Sequence, residues 1–142
     1  MATSSSQRTD GAATHAAVSV RYQVTVPERS IAFYTEQLGF KLDQHTGPFA
    51  AVSRGNLRLI LSGPGTSGAR PMPDGRKQEP GGWNRILLYV DDLRAEVDRL
   101  KPRGVRFRNE IESGPGGSQI LIEDPDGNLL ELHEAPKPGA PR

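Results

Sequence analysis

One pattern is written twice along this chain, and the repetition narrows the possible folds more than any other feature. Residues 18–26 (VSVRYQVTV) alternate as a β-strand does, with Tyr22, Val24 and Val26 facing one way and Arg21, Gln23 and Thr25 the other. Pro27 or Glu28 then opens a helix, because proline suits a first turn and an acidic side chain suits its dipole. The apolar stripe is Ile31, Tyr34 and Leu38, and Gly39 supplies the stop. Three short strands follow at residues 40–44, 49–53 and 57–62, the last two joined by the turn Arg54-Gly55-Asn56. The order then starts again. Residues 85–90 (RILLYV) form a strand, Asp91 or Asp92 caps a helix with the stripe Leu93, Val97 and Leu100, and Gly104 ends it. A strand at residues 105–108, extendable to Ile111, leads through Gly114-Pro115-Gly116-Gly117 into a closing hairpin. Arg21 lies five residues before Val26 and Arg85 five before Val90, so the repeat reads at a spacing of 64 with the two arginines in equivalent places.

The closing hairpin is residues 119–133, QILIEDPDGNLLELH. Pro125 presets φ for a turn, Gly127 or Asn128 can take φ > 0, and the Asp side chains can bond the backbone. Period two then sets Leu130 and Leu132 on one face, and Leu129, Glu131 and His133 on the other. A carboxylate and an imidazole on one sheet face are either a solvated surface or the floor of a site.

Composition bounds the rest. A chain of 142 residues is one domain, and 18 Lys+Arg against 17 Asp+Glu give a net charge of +1, with no pull toward nucleic acid or membrane. No run is long and apolar enough to span a bilayer, and the N-terminus lacks a basic-then-apolar signal, so a cytoplasmic location is expected. Zero cysteines exclude disulfides, thiol catalysis and thiolate metal ligation. Residues 1–16 and 135–142 are too poor in apolar side chains to pack and are expected to be disordered tails. Between them, residues 17–134 form the domain: a first module at 17–62, a Gly- and Pro-rich linker or lid at 63–82, and a second module at 83–134.

A duplicated βαβββ chain with Phe33-Tyr34 and Leu38-Gly39-Phe40 at its first helix end, Val90-Asp91-Asp92-Leu93 at its second helix start, and Asp124-Pro125-Asp126-Gly127-Asn128 in its hairpin resembles the vicinal oxygen chelate superfamily. That group takes in glyoxalase I, extradiol dioxygenases, fosfomycin-resistance transferases and bleomycin-resistance proteins. The resemblance implies an α+β fold in which two βαβββ modules form a cup-shaped mixed sheet with helices outside. Its metal-dependent members place a ligand His early in the first strand of each half and a Glu on the final strand. By the spacing above, these places are Arg21, Arg85 and Glu131. A guanidinium stays protonated and has no lone pair to give, so neither metal nor other cofactor is expected. His133 could form only a reduced site with Glu131, short of the usual ligand number.

Carried along the register, the cup lining comprises Arg21, Gln23, Arg58, Ile60, Ser62, Arg85, Leu87, Tyr89, Gln119, Leu121, Glu131 and His133, though a one-residue slip would turn Arg58 to solvent. An Arg–carboxylate cluster could simply hold the halves together. Alternatively, arginines in excess of carboxylate would bind a ligand's carboxylate, phenolate, phosphate or enolate oxygen. Catalytic roles fall on Glu131, a weak base beside arginines, and His133, which titrates nearer neutrality. Tyr89 could donate to an oxyanion or merely pack. Trp83, the one tryptophan, is either a plug at the cup's rim, a dimer contact, or an aromatic wall under a lid. The leading expectation is a homodimeric protein of the bleomycin-resistance type that sequesters a small anionic or oxygen-rich molecule. The alternative is a metal-independent lyase, isomerase or cyclase stabilising an enolate-like oxyanion, so enzymatic activity stays open.

Overall fold

The computed structural model describes residues 18–138, and the chain divides between Gln78 and Glu79 into two units. The tail expected at residues 1–16 lies outside the described residues, as do residues 139–142 of the other tail. The first unit holds β1 (Ser19–Gln23), α1 (Pro27–Ala32), β2 (Lys41–Thr46), β3 (Phe49–Arg54) and β4 (Leu57–Ser62). Its sheet runs β1-β4-β3-β2, with β1 parallel to β4 and the other pairs antiparallel. Strand β1 stops at Gln23 rather than Val26 because the following backbone has other work. Val24 N still bonds Ser62 O, but Val26 O accepts from Arg29 N and Ser30 N as the helix begins. The helix does open at Pro27 and stop at Gly39 (φ 73), with Tyr34 and Leu38 buried. Its second half, Phe33–Gln37, widens into a π turn in which Thr35 Oγ1 bonds back to Ile31 O at 2.8 Å.

The second unit holds β5 (Arg85–Tyr89), α2 (Leu93–Leu100), β6 (Arg106–Phe107), β7 (Glu112–Gly114), β8 (Gly117–Glu123) and β9 (Leu129–Glu134). Its sheet runs β5-β9-β8-β6 with β7 also on β8, and β5 lies parallel to β9. Asp92 is the cap, its carboxylate accepting from Ala95 N, and Leu93, Val97 and Leu100 form the buried stripe. A tighter turn, Lys101–Arg103, intervenes before Gly104 (φ 80). The strand expected over residues 105–108 is only two residues long. Asn109 Oδ1 accepts from Leu121 N at 2.9 Å, so a side chain takes a place in the ladder and the backbone pairs again only at β7.

The first unit orders its strands first, last, third, second, and the second does the same once β6 and β7 are counted as one interrupted strand, which makes the duplication a property of topology as well as pattern. The repeat distance needs correction. Strands Ser19–Gln23 and Arg85–Tyr89, and helix starts Pro27 and Leu93, correspond at an offset of 66, not 64. Counting back from Val26 and Val90 misled because β1 ends three residues short of the first and β5 one short of the second. The counterpart of Arg85 is therefore Ser19, and Arg21 corresponds to Leu87. A shift of two keeps parity, so Arg21 stays on the expected face. The fold is mixed α+β, with a four-stranded and a five-stranded sheet.

Candidate functional site

The turn that launches β9 is built by one side chain. Asp124 Oδ1 accepts from Asp126 N and Asn128 N at 2.9 Å each, Oδ2 accepts from Asn128 Nδ2 at 3.0 Å, and Gly127 takes the positive φ of 83°. Strand β9 then sends Leu130 and Leu132 into the core and Glu131 and His133 to the opposite face. Pairing with β5 sets Leu87 opposite Glu131 and Tyr89 opposite His133, and pairing with β8 adds Leu121 and Gln119 to the same rows.

Glu131 is buried and fully engaged. Its Oε1 accepts from Arg85 Nε and Nη2, both at 3.0 Å, and its Oε2 meets His133 Nδ1 at 3.0 Å. His133 Nε2 meets Gly116 O at 3.0 Å. Both imidazole nitrogens therefore face acceptors, the arrangement an imidazolium satisfies and a neutral ring does not. The Glu131 hydrogen bond raises the His133 pKa above its ordinary value, burial opposes this, and the Gly116 carbonyl adds to the rise. Tyr89 is exposed and sets its ring edge-on to His133 at 5.6 Å.

In the first unit, Arg58, Ile60 and Ser62 fall opposite Ser19, Arg21 and Gln23, so the register places Arg58 on the Arg21 face without a slip. Arg21 Nη1 donates to Ser62 Oγ at 2.6 Å, and within its own unit it meets no carboxylate among the described residues. Gln23 Nε2 donates to Gly68 O and Gln78 Oε1, which ties part of the 63–82 excursion to β1. Gly68 lies against the Arg21 guanidinium with no room for a Cβ.

Trp83 is 70% exposed, so within its own unit it is not a buried plug. Arg108 lies over its ring at 4.7 Å and also binds Glu123 Oε2 at 2.7 Å. Sequence reasoning missed this pair. Glu123 was within reach, since it follows Gln119 and Leu121 at period two and sits opposite Leu129. Arg108 was hidden because the strand breaks off just before it.

A divalent cation finds little here. Among the described residues no three His, Cys, Asp or Glu side chains gather to hold one. In the second unit both oxygens of Glu131 and both nitrogens of His133 are taken, and Arg85 brings a positive charge. This donor set does not fit a metal ion as it stands.

Residues 14–132 match the family described as the Glyoxalase/Bleomycin resistance protein/Dioxygenase superfamily, and the chain belongs to it. The chain is 32% identical over 125 residues to lactoylglutathione lyase of Salmonella typhimurium, across 79% of this chain and 87% of that protein. It is 29% identical over 125 residues, 81% of its own length, to a probable chloroplastic lactoylglutathione lyase of Arabidopsis thaliana, but spans only 34% of that protein. Among solved structures, TnmS3, an antibiotic binding protein from Streptomyces sp. CB03234, is 28% identical with a TM-score of 0.65, covering 86% of this chain and all of that one. No helix among the described residues is long and apolar enough to cross a membrane.

Proposed function

We propose that this chain binds a small anionic or oxygen-rich organic molecule in a metal-free, arginine-lined cup and holds it without turnover. In this reading residues 17–134 are one domain, residues 63–82 its lid, and the working form a cytoplasmic homodimer. Arg21, Gln23, Arg58, Trp83, Arg85, Tyr89 and Gln119 are the binding residues. The observation that carries it is the saturation of Glu131: both oxygens are held by Arg85 and His133. A carboxylate so engaged is poorly placed to abstract a proton, and below the raised His133 pKa the three side chains carry a net positive charge. Likeness to an antibiotic binding protein supports the same class. The alternative, a metal-independent lyase, isomerase or cyclase, requires Glu131 or His133 to release a partner in each turnover, which makes it the weaker reading.

Thermal-shift screening of carboxylates and phenols tests the proposal. A binder raises Tm because it occupies only the native state. Arg85→Ala is expected to weaken its affinity at least tenfold; unchanged affinity overturns the anion reading. Mass spectrometry after prolonged incubation should recover the ligand unaltered, whereas a product would favour the enzymatic alternative.

A further inference from the structure

Two glycines with positive φ, Gly81 (105°) and Gly82 (98°), bend the chain just before Trp83 and β5. The closing hairpin and Arg108, the residue that follows β6, grip that bend. Asn128 Oδ1 accepts from Gly81 N at 2.8 Å, while Arg108 donates through Nη1 to Gly82 O and through Nη2 to Gly127 O, both at 3.0 Å. The Arg108 Nε bond to Glu123 orients the guanidinium, whose carbon then stands 4.7 Å from the Trp83 ring centre. An indole that is 70% exposed is thereby held at a fixed place two residues from Arg85. A surface tryptophan gains little from such anchoring if its only task is to meet water.

We infer that Arg108 is a positioning residue that fixes Trp83 as a stacking wall, selecting an electron-rich aromatic ring whose anionic oxygen is taken by Arg85. A guanidinium over one face of an indole draws on its π density. The opposite face then stacks best on a ring that has density to share, such as a hydroxylated arene. Ligand class follows: hydroxylated aromatic acids rather than aliphatic acids of equal charge. This rests on the anion-binding reading above and adds the aromatic half of the ligand.

Calorimetric titration with three carboxylates of equal charge tests it: 1-hydroxy-2-naphthoate, its electron-poor analogue 1-nitro-2-naphthoate, and cyclohexanecarboxylate. The native chain should bind the hydroxynaphthoate at least tenfold more tightly than the aliphatic acid, and several-fold more tightly than the nitro compound. Trp83→Leu should remove the aromatic preference, so that the variant binds the hydroxynaphthoate no more than twofold more tightly than it binds the aliphatic acid. Arg108→Met should abolish the hydroxy-over-nitro preference and shift the emission of Trp83, the chain's only tryptophan, while Arg108→Lys restores part of both. Because Arg108 also bonds two carbonyls, a failure of Arg108→Met to fold leaves Trp83→Leu, at an exposed position, to decide. Equal binding of all three acids, or a preference that survives Trp83→Leu, overturns the stacking wall and leaves the anion reading standing. No binding of any of them overturns both.

Discussion

At the scale of single residues, the chain from Arg85 through Glu131 and His133 to the Gly116 carbonyl makes charge the central quantity. Glu131→Gln removes the acceptor that two cations share. It should destabilise the chain by about 2–3 kcal/mol, since bonds to charged groups contribute about 1.5–3 kcal/mol each. The same change should return the His133 pKa toward its ordinary value, because the Glu131 bond is the largest cause of the rise. The sign follows from linkage. A raised folded pKa gives stability that is complete below the unfolded value of about 6.5 and lost as pH rises through the folded value. Native stability should therefore decline across that window, and Glu131→Gln should flatten the decline. Urea unfolding at stepped pH, with NMR titration of the His133 ring, checks both; an unchanged His133 titration would sink the argument. The face shared by Glu131 and His133 was legible from period two alone. Their ion pairing was not, because an alternating pattern names a face without naming which charges on it will touch.

The closing hairpin is the element whose chemistry was written most openly. Pro125, Gly127 and the aspartates announced a turn, and the loop spans residues 124–128 between β8 and β9. Asp124 carries more than its motif suggests, since three donors converge on its fully buried carboxylate. Asp124→Ala should cost about 2 kcal/mol or more through buried unpaired donors, and lower Tm by something on the order of 10 °C. Asp124→Asn keeps one acceptor oxygen and should recover part of that loss in calorimetry. Elsewhere, element ends were harder to read than element centres. Asn109 replaces backbone in the ladder, and Val26 O belongs to a helix start rather than to a strand. Neither choice leaves a trace in hydrophobic periodicity, and the error at Val26 carried the repeat distance with it.

For the molecule as a whole, family membership establishes the fold and does not by itself carry the chemistry. The chain belongs to the superfamily, yet the place early in the first strand of each half, where the resemblance puts a ligand His, holds Ser19 in one unit and Arg85 in the other. Correcting the first of these from Arg21 to Ser19 leaves Arg85 where it was, and a neutral serine hydroxyl is itself a weak ligand for a divalent ion. The purified chain should accordingly contain well under one equivalent of divalent metal by atomic emission, and its Tm should be indifferent both to a chelator and to added Zn²⁺. Arg85→His changes the donor set in one step: it removes the cation that holds Glu131 Oε1 and adds an imidazole across the β5–β9 pair from residues that already include Glu131 and His133. That variant should lose stability in metal-free buffer and regain it with Zn²⁺, as a structure that binds metal only when folded must. A stoichiometric metal in the native chain would refute the metal-free reading. A variant that Zn²⁺ does not rescue would show instead that more than one residue separates this site from a metal centre.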